Sequence, residues 1–301
     1  MNIVAPIPRR AFLHRAAAVC AAAGVRRPAF GAGAWPPPVV VFSKVYQEIK
    51  LDFESAAALT AAAGLAGIDC PVRPGGEIEP GRAADDMPRY AEALRRRGVA
   101  MRLLTTGIVG TDSPHAETIL RTARQLGIRY YRLGAWGMPK QGSPDIAGIR
   151  ARLKDLAAMN REIGVTGVVQ NHSGNFVGGN LAQMAEILEG FDPDEVGMAF
   201  DLCHALIAHR DEWTVHFERL SPRVRVAYVK DVRLPDAMAA LGEGEMGQTD
   251  WFSRLKRLGL AAPISLHIEY EWAPKEEKTT ARLEAVMRRD LEVLRRWLDA
   301  A

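Results

Sequence analysis

The chain has 301 residues, of which 48% are hydrophobic and 25% are charged, a composition typical of soluble globular proteins. This length is enough for two small domains or for one α/β barrel. No apolar run reaches the roughly 18 residues that a membrane-spanning helix needs, so the sequence indicates no transmembrane segment.

The N-terminal segment differs from the rest of the chain. Residues 1–34 contain five arginines and neither an acid nor a lysine. The pair Arg9-Arg10 precedes an alanine-rich apolar run over 16–25, and the small residues at 32–34 resemble a cleavage site. This order is typical of a twin-arginine export signal, which predicts a periplasmic or secreted protein. A basic N-terminal arm is the alternative.

Loss of that segment changes the charge of the chain. The formal net charge of +3 becomes about −2 in residues 35–301, because the five arginines leave with the signal. A chain of this charge has no basic footprint for nucleic acid, so we expect neither a nucleic-acid partner nor, after cleavage, a membrane contact. Cys70 and Cys203 lie in apolar, strand-like contexts, which favours buried free thiols over a disulfide.

From residue 38 onward, apolar runs of strand length alternate with amphipathic segments. The predicted strands cover 38–43, 66–72, 99–105, 128–134, 165–171, 196–201, 223–230 and 263–269. The predicted helices cover 87–97, 116–125, 145–163, 181–188, 249–258 and 278–298. Eight such units in about 265 residues predict one domain, a (β/α)8 TIM barrel over 35–301. A doubly wound open sheet is the alternative, but its usual glycine-rich phosphate loop is missing.

Two predicted loops stand out. The first, over 72–76, contains Gly75 and Gly76, which let the backbone turn sharply or approach a ligand closely. The second, over 233–249, follows the seventh strand and is long for a connection between a strand and a helix. We expect the second loop to be either a lid or a mobile excursion.

Polar side chains end the last four predicted strands. Gln170, Asp201, Lys230 and Glu269 each follow an apolar run. In a barrel of parallel strands, the C-terminal ends meet at one mouth, where active sites form. Residues about 100 positions apart are therefore expected to converge on one pocket, which indicates an enzyme.

Asp201 ends the apolar run over 196–200, where an unpaired carboxylate would be costly. His204 follows three residues later, and this spacing favours Asp201 as a metal or substrate ligand. His204 is then a candidate for contact with substrate hydroxyls or for proton exchange. The alternative for Asp201 is a cap on the helix that follows.

His267 and Glu269 alternate on the eighth strand, so their side chains point to the same side. A divalent cation at the barrel mouth would satisfy both side chains. We therefore predict Asp201, His267 and Glu269 as metal ligands. A buried salt bridge of Glu269 with Arg132 or Lys230 is the alternative.

The remaining candidates have several possible roles. Gln170 is able to hydrogen-bond hydroxyl groups, and His172 on the same face is a candidate acid or base or a structural histidine. Lys230 is suited to bind an anion, polarise a carbonyl or form a Schiff base, with an ion pair as the alternative. Arginines suit a substrate carboxylate or phosphate. The predicted catalytic residues are His172, His204 and Lys230, and the predicted substrate-binding residues are Arg73, Arg132, Gln170 and Tyr228.

Together these motifs resemble the sugar phosphate isomerase/epimerase group of the xylose-isomerase-like barrels, over most of residues 38–300. The parts that carry the resemblance are Asn171-His172, the Asp-x-x-His of Asp201 and His204, Lys230-Asp231, the Gly-Glu-Gly run over 242–244 and the glutamate of strand eight. The resemblance implies an isomerase, epimerase or lyase acting on a sugar or polyol. It also implies one divalent metal, with Glu, Asp, His and Glu ligands from strands five to eight.

The sequence departs from that pattern at three positions. Gln170 stands where the fifth strand usually has a glutamate, Tyr228 stands where a histidine is expected, and His267 is a candidate for the usual glutamate position. An amide cannot act as the second base of a two-carboxylate mechanism. With nitrogen from His267, we expect manganese, cobalt or zinc rather than magnesium. A metal-free periplasmic carbohydrate-binding barrel is the alternative, and the oligomeric state is left open.

Related barrels also include apurinic endonucleases with three zinc ions, which need many histidine ligands. The chain keeps six histidines after loss of the signal, and His115, His209 and His216 fall in helical or peripheral contexts. We therefore do not expect a DNA repair enzyme.

Overall fold

Short strands of apolar residues pair side by side in parallel and close into a barrel in the computed structural model, which describes residues 35–301. The barrel strands are β1 (Val39–Phe42), β2 (Gly67–Val72), β3 (Ala100–Thr106), β4 (Tyr130–Arg132), β5 (Thr166–Gln170), β6 (Val196–Asp201), β7 (Val224–Val229) and β10 (Ile264–Leu266). β1 pairs with both β2 and β10, which closes the ring. The predicted barrel is confirmed. The predicted signal over 1–34 lies outside the described residues.

Helices connect the strands around the outside of the barrel. They are α1 (Lys44–Gln47), α2 (Phe53–Ala62), α3 (Ala83–Arg96), α4 (Ala116–Gln125), α5 (Ile146–Ile163), α6 (Leu181–Leu188), α7 (Leu202–His209), α8 (Trp213–Leu220), α9 (Trp251–Arg257) and α10 (Thr280–Asp299). Short 3-10 turns cover Pro80–Arg82, Arg210–Glu212, Ser221–Arg223, Met246–Gln248 and Lys275–Glu277. Among residues 35–301, none of the helices is long and apolar enough to cross a membrane.

The core has two parts that follow from the alternation of side chains along a strand. One set packs between the strands and the helices, and a second set fills the barrel interior. The interior set comprises Leu103, Val168, Ala199, Val226, Tyr228 and Ala262. Two residues further along β5, β6 and β7, the inward positions become polar. The apolar plug therefore supports a polar tier at the C-terminal mouth.

The long segment after β7 is more regular than the sequence suggested. Asp231–Arg233 (β8) and Ala237–Ala239 (β9) pair as an antiparallel hairpin. The chain then returns toward the start of β8, where Glu245 donates its backbone N–H to the carbonyl of Val232 at 2.9 Å. The excursion expected over 233–249 is thus tied to the end of the barrel by backbone and side-chain hydrogen bonds.

Candidate active site

The centre of the polar tier is the ammonium group of Lys230, whose side chain is only 5% exposed. Its Nζ lies 2.8 Å from Glu269 Oε2, 2.9 Å from His204 Nε2 and 3.3 Å from Asp201 Oδ2. Strand β6, helix α7 and the segments that follow β7 and β10 each contribute to this cluster. The structure therefore brings together residues that lie far apart in the sequence, as the pattern of polar strand ends predicted.

Two carboxylates of this cluster face a single ammonium group. Burial alone would raise the pKa of Asp201, but the nearby Lys230 ammonium holds it below its usual value. Burial also opposes ionisation of Glu269, yet His267 and Lys230 hold its pKa well below its ordinary range. Burial lowers the pKa of Lys230, and the two carboxylates outweigh that effect and raise it. At neutral pH the cluster holds two carboxylates and one ammonium.

Asp201 has two roles in the structure. Its side chain caps α7 by accepting the backbone N–H of His204 at 3.3 Å, and it also pairs with Lys230. Asn171 fixes its backbone, because the Asn171 amide donates to the Asp201 carbonyl and accepts from the Asp201 N–H, both at 2.8 Å. The cap and the ionic role are therefore compatible.

Gln170 bridges Asp201 to an arginine. Its Nε2 donates to Asp201 Oδ2 at 2.8 Å, and its Oε1 accepts a hydrogen bond from Arg132 Nη1 at 2.5 Å. Arg132 Nε is buried and has no hydrogen-bond partner. The amide is thus oriented by both neighbours, and the Arg132 guanidinium keeps one buried donor without a partner.

The rings of His172 and His204 pack against each other beside the cluster, with centroids 3.9 Å apart and ring planes tilted by 32°. Burial lowers the pKa of His204 to about 3, so its ring is neutral at neutral pH. Lys230 donates to His204 Nε2, which assigns the ring proton to Nδ1, where it faces Ser173 Oγ at 2.8 Å. His172 Nδ1 lies 2.7 Å from the Ser173 carbonyl, and burial lowers the pKa of this histidine.

The remaining predicted residues line the same mouth or lie beneath it. Arg73 is held by the turn over 72–76 and lies over the ring of Phe42, 5.8 Å from its centroid. That turn requires Gly76, because a Cβ there would lie 2.5 Å from the carbonyl oxygen of Pro71. Burial and the nearby Arg132 lower the pKa of Arg73. The glycines therefore serve the turn, and the turn presents an arginine.

His267 and Tyr228 form the floor of the mouth. Their ring centroids are 4.7 Å apart, and both are buried. The two ring nitrogens of His267 have no hydrogen-bond partner, and neither does the hydroxyl oxygen of Tyr228. His267 Nδ1 lies 3.9 Å from Glu269 Oε2, too far for a hydrogen bond.

Sequence reasoning missed three contributors to the site. Asp69 is fully buried and accepts hydrogen bonds from Thr105 at 2.9 Å and Ser265 at 3.0 Å. Ser173 hydrogen-bonds the ring of His204. Lys44 lies 3.7 Å from Glu269 Oε1. The signal for Asp69 was present, since it is a carboxylate inside the apolar strand β2.

Comparison with known proteins places this geometry in a family. Residues 57–297 match the family described as xylose isomerase-like TIM barrel. The chain belongs to this family. The matched range begins within α2 and ends within α10, and it includes every barrel strand except β1.

Three solved structures share the fold of this xylose isomerase-like barrel. D-psicose 3-epimerase from Clostridium cellulolyticum is 10% identical, with a TM-score of 0.66, 87% of this chain covered and 99% of that one. 3-Keto-D-glucoside 4-epimerase from E. coli is 13% identical, with a TM-score of 0.64, and the match covers 88% of this chain and 100% of that one. The probable 3-DHS dehydratase from Bacillus anthracis is 12% identical, with a TM-score of 0.64, and the match covers 83% of this chain and 97% of that one. Identities this low establish the fold alone.

The divalent metal implied by the resemblance does not fit the residues of this xylose isomerase-like barrel. Within residues 35–301, no group of three or more His, Cys, Asp or Glu side chains is arranged to hold a metal ion. Of the predicted ligands, Asp201 and Glu269 both face the Lys230 ammonium, and His267 contacts neither carboxylate by a hydrogen bond. The alternative role of Lys230 and Glu269, a buried ion pair, is the one present.

Proposed function

We propose that this chain is an isomerase, epimerase or related lyase that acts on a small sugar or polyol at the C-terminal mouth of its barrel. The observation that carries the proposal is the buried network of Gln170, Asp201, His204, Lys230 and Glu269 at the strand ends. Such a group of titratable residues at a barrel mouth is the usual mark of an active site. Similar structures named as sugar epimerases support the substrate class.

Isomerisation, epimerisation and β-elimination share one first step, the removal of a proton from the carbon next to a carbonyl. His172 is the best-suited base. Its Nδ1 faces a carbonyl oxygen, so Nδ1 carries the ring proton and Nε2 keeps its lone pair. The lowered pKa of His172 keeps the ring unprotonated at neutral pH. Glu269 is a poorer base, because its pKa is held far below neutrality.

The electron pair of the broken C–H bond moves to the carbonyl oxygen and forms an enolate. Lys230 provides the fixed positive charge at the centre of the polar tier, where it would stabilise this oxyanion. Its longest contact, 3.3 Å to Asp201 Oδ2, is the one that the substrate oxygen would replace. Its raised pKa favours the ammonium over the amine, so we assign Lys230 to oxyanion stabilisation rather than to a Schiff base. His204 holds this ammonium in place.

Four other residues bind or orient the substrate in this proposal. Arg132 and Arg73 donate to hydroxyl, carboxylate or phosphate oxygens. Gln170 orients Arg132, and Tyr228 offers an unpartnered hydroxyl in the floor. The partner is a small molecule. The near-neutral charge of residues 35–301 argues against nucleic acid.

The test is exchange of a carbon-bound proton with solvent. The purified protein is incubated in D2O with ketohexoses, L-ribulose and 3-ketoglycosides, and deuterium incorporation is followed by NMR. We expect exchange with at least one substrate, reduced about 10²- to 10⁴-fold in His172→Gln, the usual contribution of a general base. His216→Gln on α8, outside the mouth, is the matched control and should exchange at the wild-type rate.

A second candidate is a carbohydrate-binding barrel without catalysis. The observation that favours it is Gln170, an amide at a position where the resemblance implies a carboxylate. In that case no substrate would exchange protons, while calorimetry would detect sugar binding that Arg132→Ala weakens. Exchange that is unchanged in both His172→Gln and Lys230→Met would contradict the proposed mechanism.

A further inference from the structure

The position of Lys230 explains why this barrel does not fit a divalent ion. We propose that its ammonium is the resident cation of the site and takes the place of the metal that the family resemblance implies. This role of the ammonium is one of charge and coordination only. It holds whether the barrel turns over a sugar or merely binds one.

The surroundings of Nζ resemble a coordination shell. Its three N–H donors face one oxygen of Glu269, one nitrogen of His204 and one oxygen of Asp201, at 2.8, 2.9 and 3.3 Å. The side chains of Asp201 and Lys230 are 0% and 5% exposed. A divalent ion between the two carboxylates would have to share this volume with a like charge, which a buried site strongly disfavours.

Gln170 lowers the negative charge of the site relative to a glutamate at this position. A glutamate here would add a third negative charge beside Asp201 and would call for a cation to neutralise it. The amide instead donates Nε2–H to Asp201 Oδ2 at 2.8 Å, and its oxygen is turned to Arg132. Relative to the pattern that the resemblance implies, the site has one carboxylate fewer and a singly charged ammonium instead of a divalent ion. The remaining two carboxylates face that ammonium.

Tyr228 replaces a second metal ligand that the resemblance implies. It stands where the resemblance implies a histidine, and its buried ring packs against His267 with centroids 4.7 Å apart. A neutral phenol is a poor substitute for imidazole as a ligand of divalent transition metals. The two departures, Gln170 and Tyr228, are mutually consistent because each lowers the need for, or the affinity of, a divalent ion, and they leave the Lys230 ammonium as the cation between the two carboxylates.

The test is direct metal titration of the full-length chain after EDTA treatment and dialysis. Mn²⁺, Co²⁺ and Zn²⁺ are titrated by calorimetry, and Co²⁺ is also followed by visible absorption, neither of which needs a substrate. We expect no saturable binding to the wild type at millimolar metal. The triple variant Gln170→Glu, Tyr228→His and Lys230→Met should bind Co²⁺ or Mn²⁺ at least tenfold more tightly, whereas Lys154→Met on the exposed face of α5 should behave as the wild type.

Saturable binding by the wild type that Asp201→Asn abolishes would overturn the proposal. So would a folded triple variant that binds no better than the wild type. If the triple variant does not fold, Lys230→Gln replaces it: Mn²⁺ or Co²⁺ should raise its melting temperature but not that of the wild type, and equal shifts would contradict the inference. Because proton exchange is not used, failure here is separate from failure of the proposed reaction.

Discussion

Glu77 is a partly exposed residue whose carboxyl group is enclosed beneath the turn after β2. Its oxygens contact the hydroxyls of Ser43 and Tyr90 and the thiol of Cys70. Ser43 also donates to the carbonyl of Asp69 at 3.1 Å, and a hydroxyl has only one proton to give. A protonated Glu77 resolves this conflict by donating to Ser43 Oγ. This agrees with burial raising the pKa of Glu77 to about 8.

This carboxyl predicts a pH dependence of stability. Its pKa rises from an ordinary value of 4.5 to about 8 on folding, so the folded state keeps a proton that the unfolded state loses. The stabilisation is therefore fully present below about pH 4.5 and is lost as the pH rises through about 8. Glu77→Gln should flatten the fall of melting temperature across this window and be the more stable form at high pH.

Scanning fluorimetry across the same pH range measures this effect. Glu189→Gln, an exposed glutamate at the end of α6, is the matched control and should follow the wild-type curve. Parallel curves for Glu77→Gln and the wild type would show that Glu77 does not carry its proton into the folded state.

At the scale of elements, Asp231 organises the segment after β7. Its carboxylate accepts backbone N–H groups from Val232, Gly242, Gly244 and Met246 at 2.9, 2.9, 3.1 and 3.0 Å. Gly244 has no room for a side chain, because a Cβ there would lie 2.5 Å from Asp231 Oδ1. The Gly-Glu-Gly run therefore wraps a carboxylate of the same chain. This explains why the long segment is anchored.

We predict that Asp231→Asn loosens this segment. The amide places N–H donors where backbone N–H groups need an acceptor, so buried donors lose partners at a cost of about 1–3 kcal/mol each. Urea denaturation should show a loss of that order, and the protease Glu-C should cut faster at Glu243 and Glu245. Asp236→Asn in the exposed hairpin turn is the control. Unchanged cleavage in Asp231→Asn would mean that the carboxylate does not hold the loop.

The sequence predicts the barrel strands well and the hairpin after β7 not at all. Buried parallel strands leave a strong signal, since both faces are apolar, and the predicted barrel strands match the structure within a few residues at most ends. The eighth is shorter than predicted: β10 ends at Leu266, although His267 still donates its N–H to Val229. The hairpin β8–β9 escaped prediction because each of its strands has only three residues, too few for an alternating pattern to show in the sequence.

The candidate site was predictable in position but not in pairing. Strand order places Gln170, Asp201, Lys230 and Glu269 at one mouth, because all C-terminal ends of a parallel barrel meet there. Whether Asp201 and Glu269 share a metal or a lysine depends on side-chain distances of a few ångströms, which no strand pattern specifies. The predicted metal ligands followed from the carboxylates at the strand ends, and their ion pairs with Lys230 became visible only in the structure.

At the scale of the molecule, the described barrel is closed by its own ends. β1 pairs with β10, and Trp35 Nε1 donates to the carbonyl of Leu298 at 2.9 Å. All the strands and helices described above lie within residues 35–301. A segment over 1–34 that is removed on export would therefore take no barrel strand with it.

We accordingly predict that Arg9 and Arg10 direct export of the folded barrel and that the mature protein begins at Trp35. Arg9→Lys with Arg10→Lys should keep the precursor in the cytoplasm, because the twin-arginine pathway reads the arginine pair itself rather than its charge. Arg26→Lys with Arg27→Lys, a second pair in the same segment, is the matched control and should be exported. Cell fractionation with mass spectrometry of the N-terminus measures both results. Normal export and cleavage of the Arg9, Arg10 variant would assign residues 1–34 to another role, such as a basic arm retained on the protein.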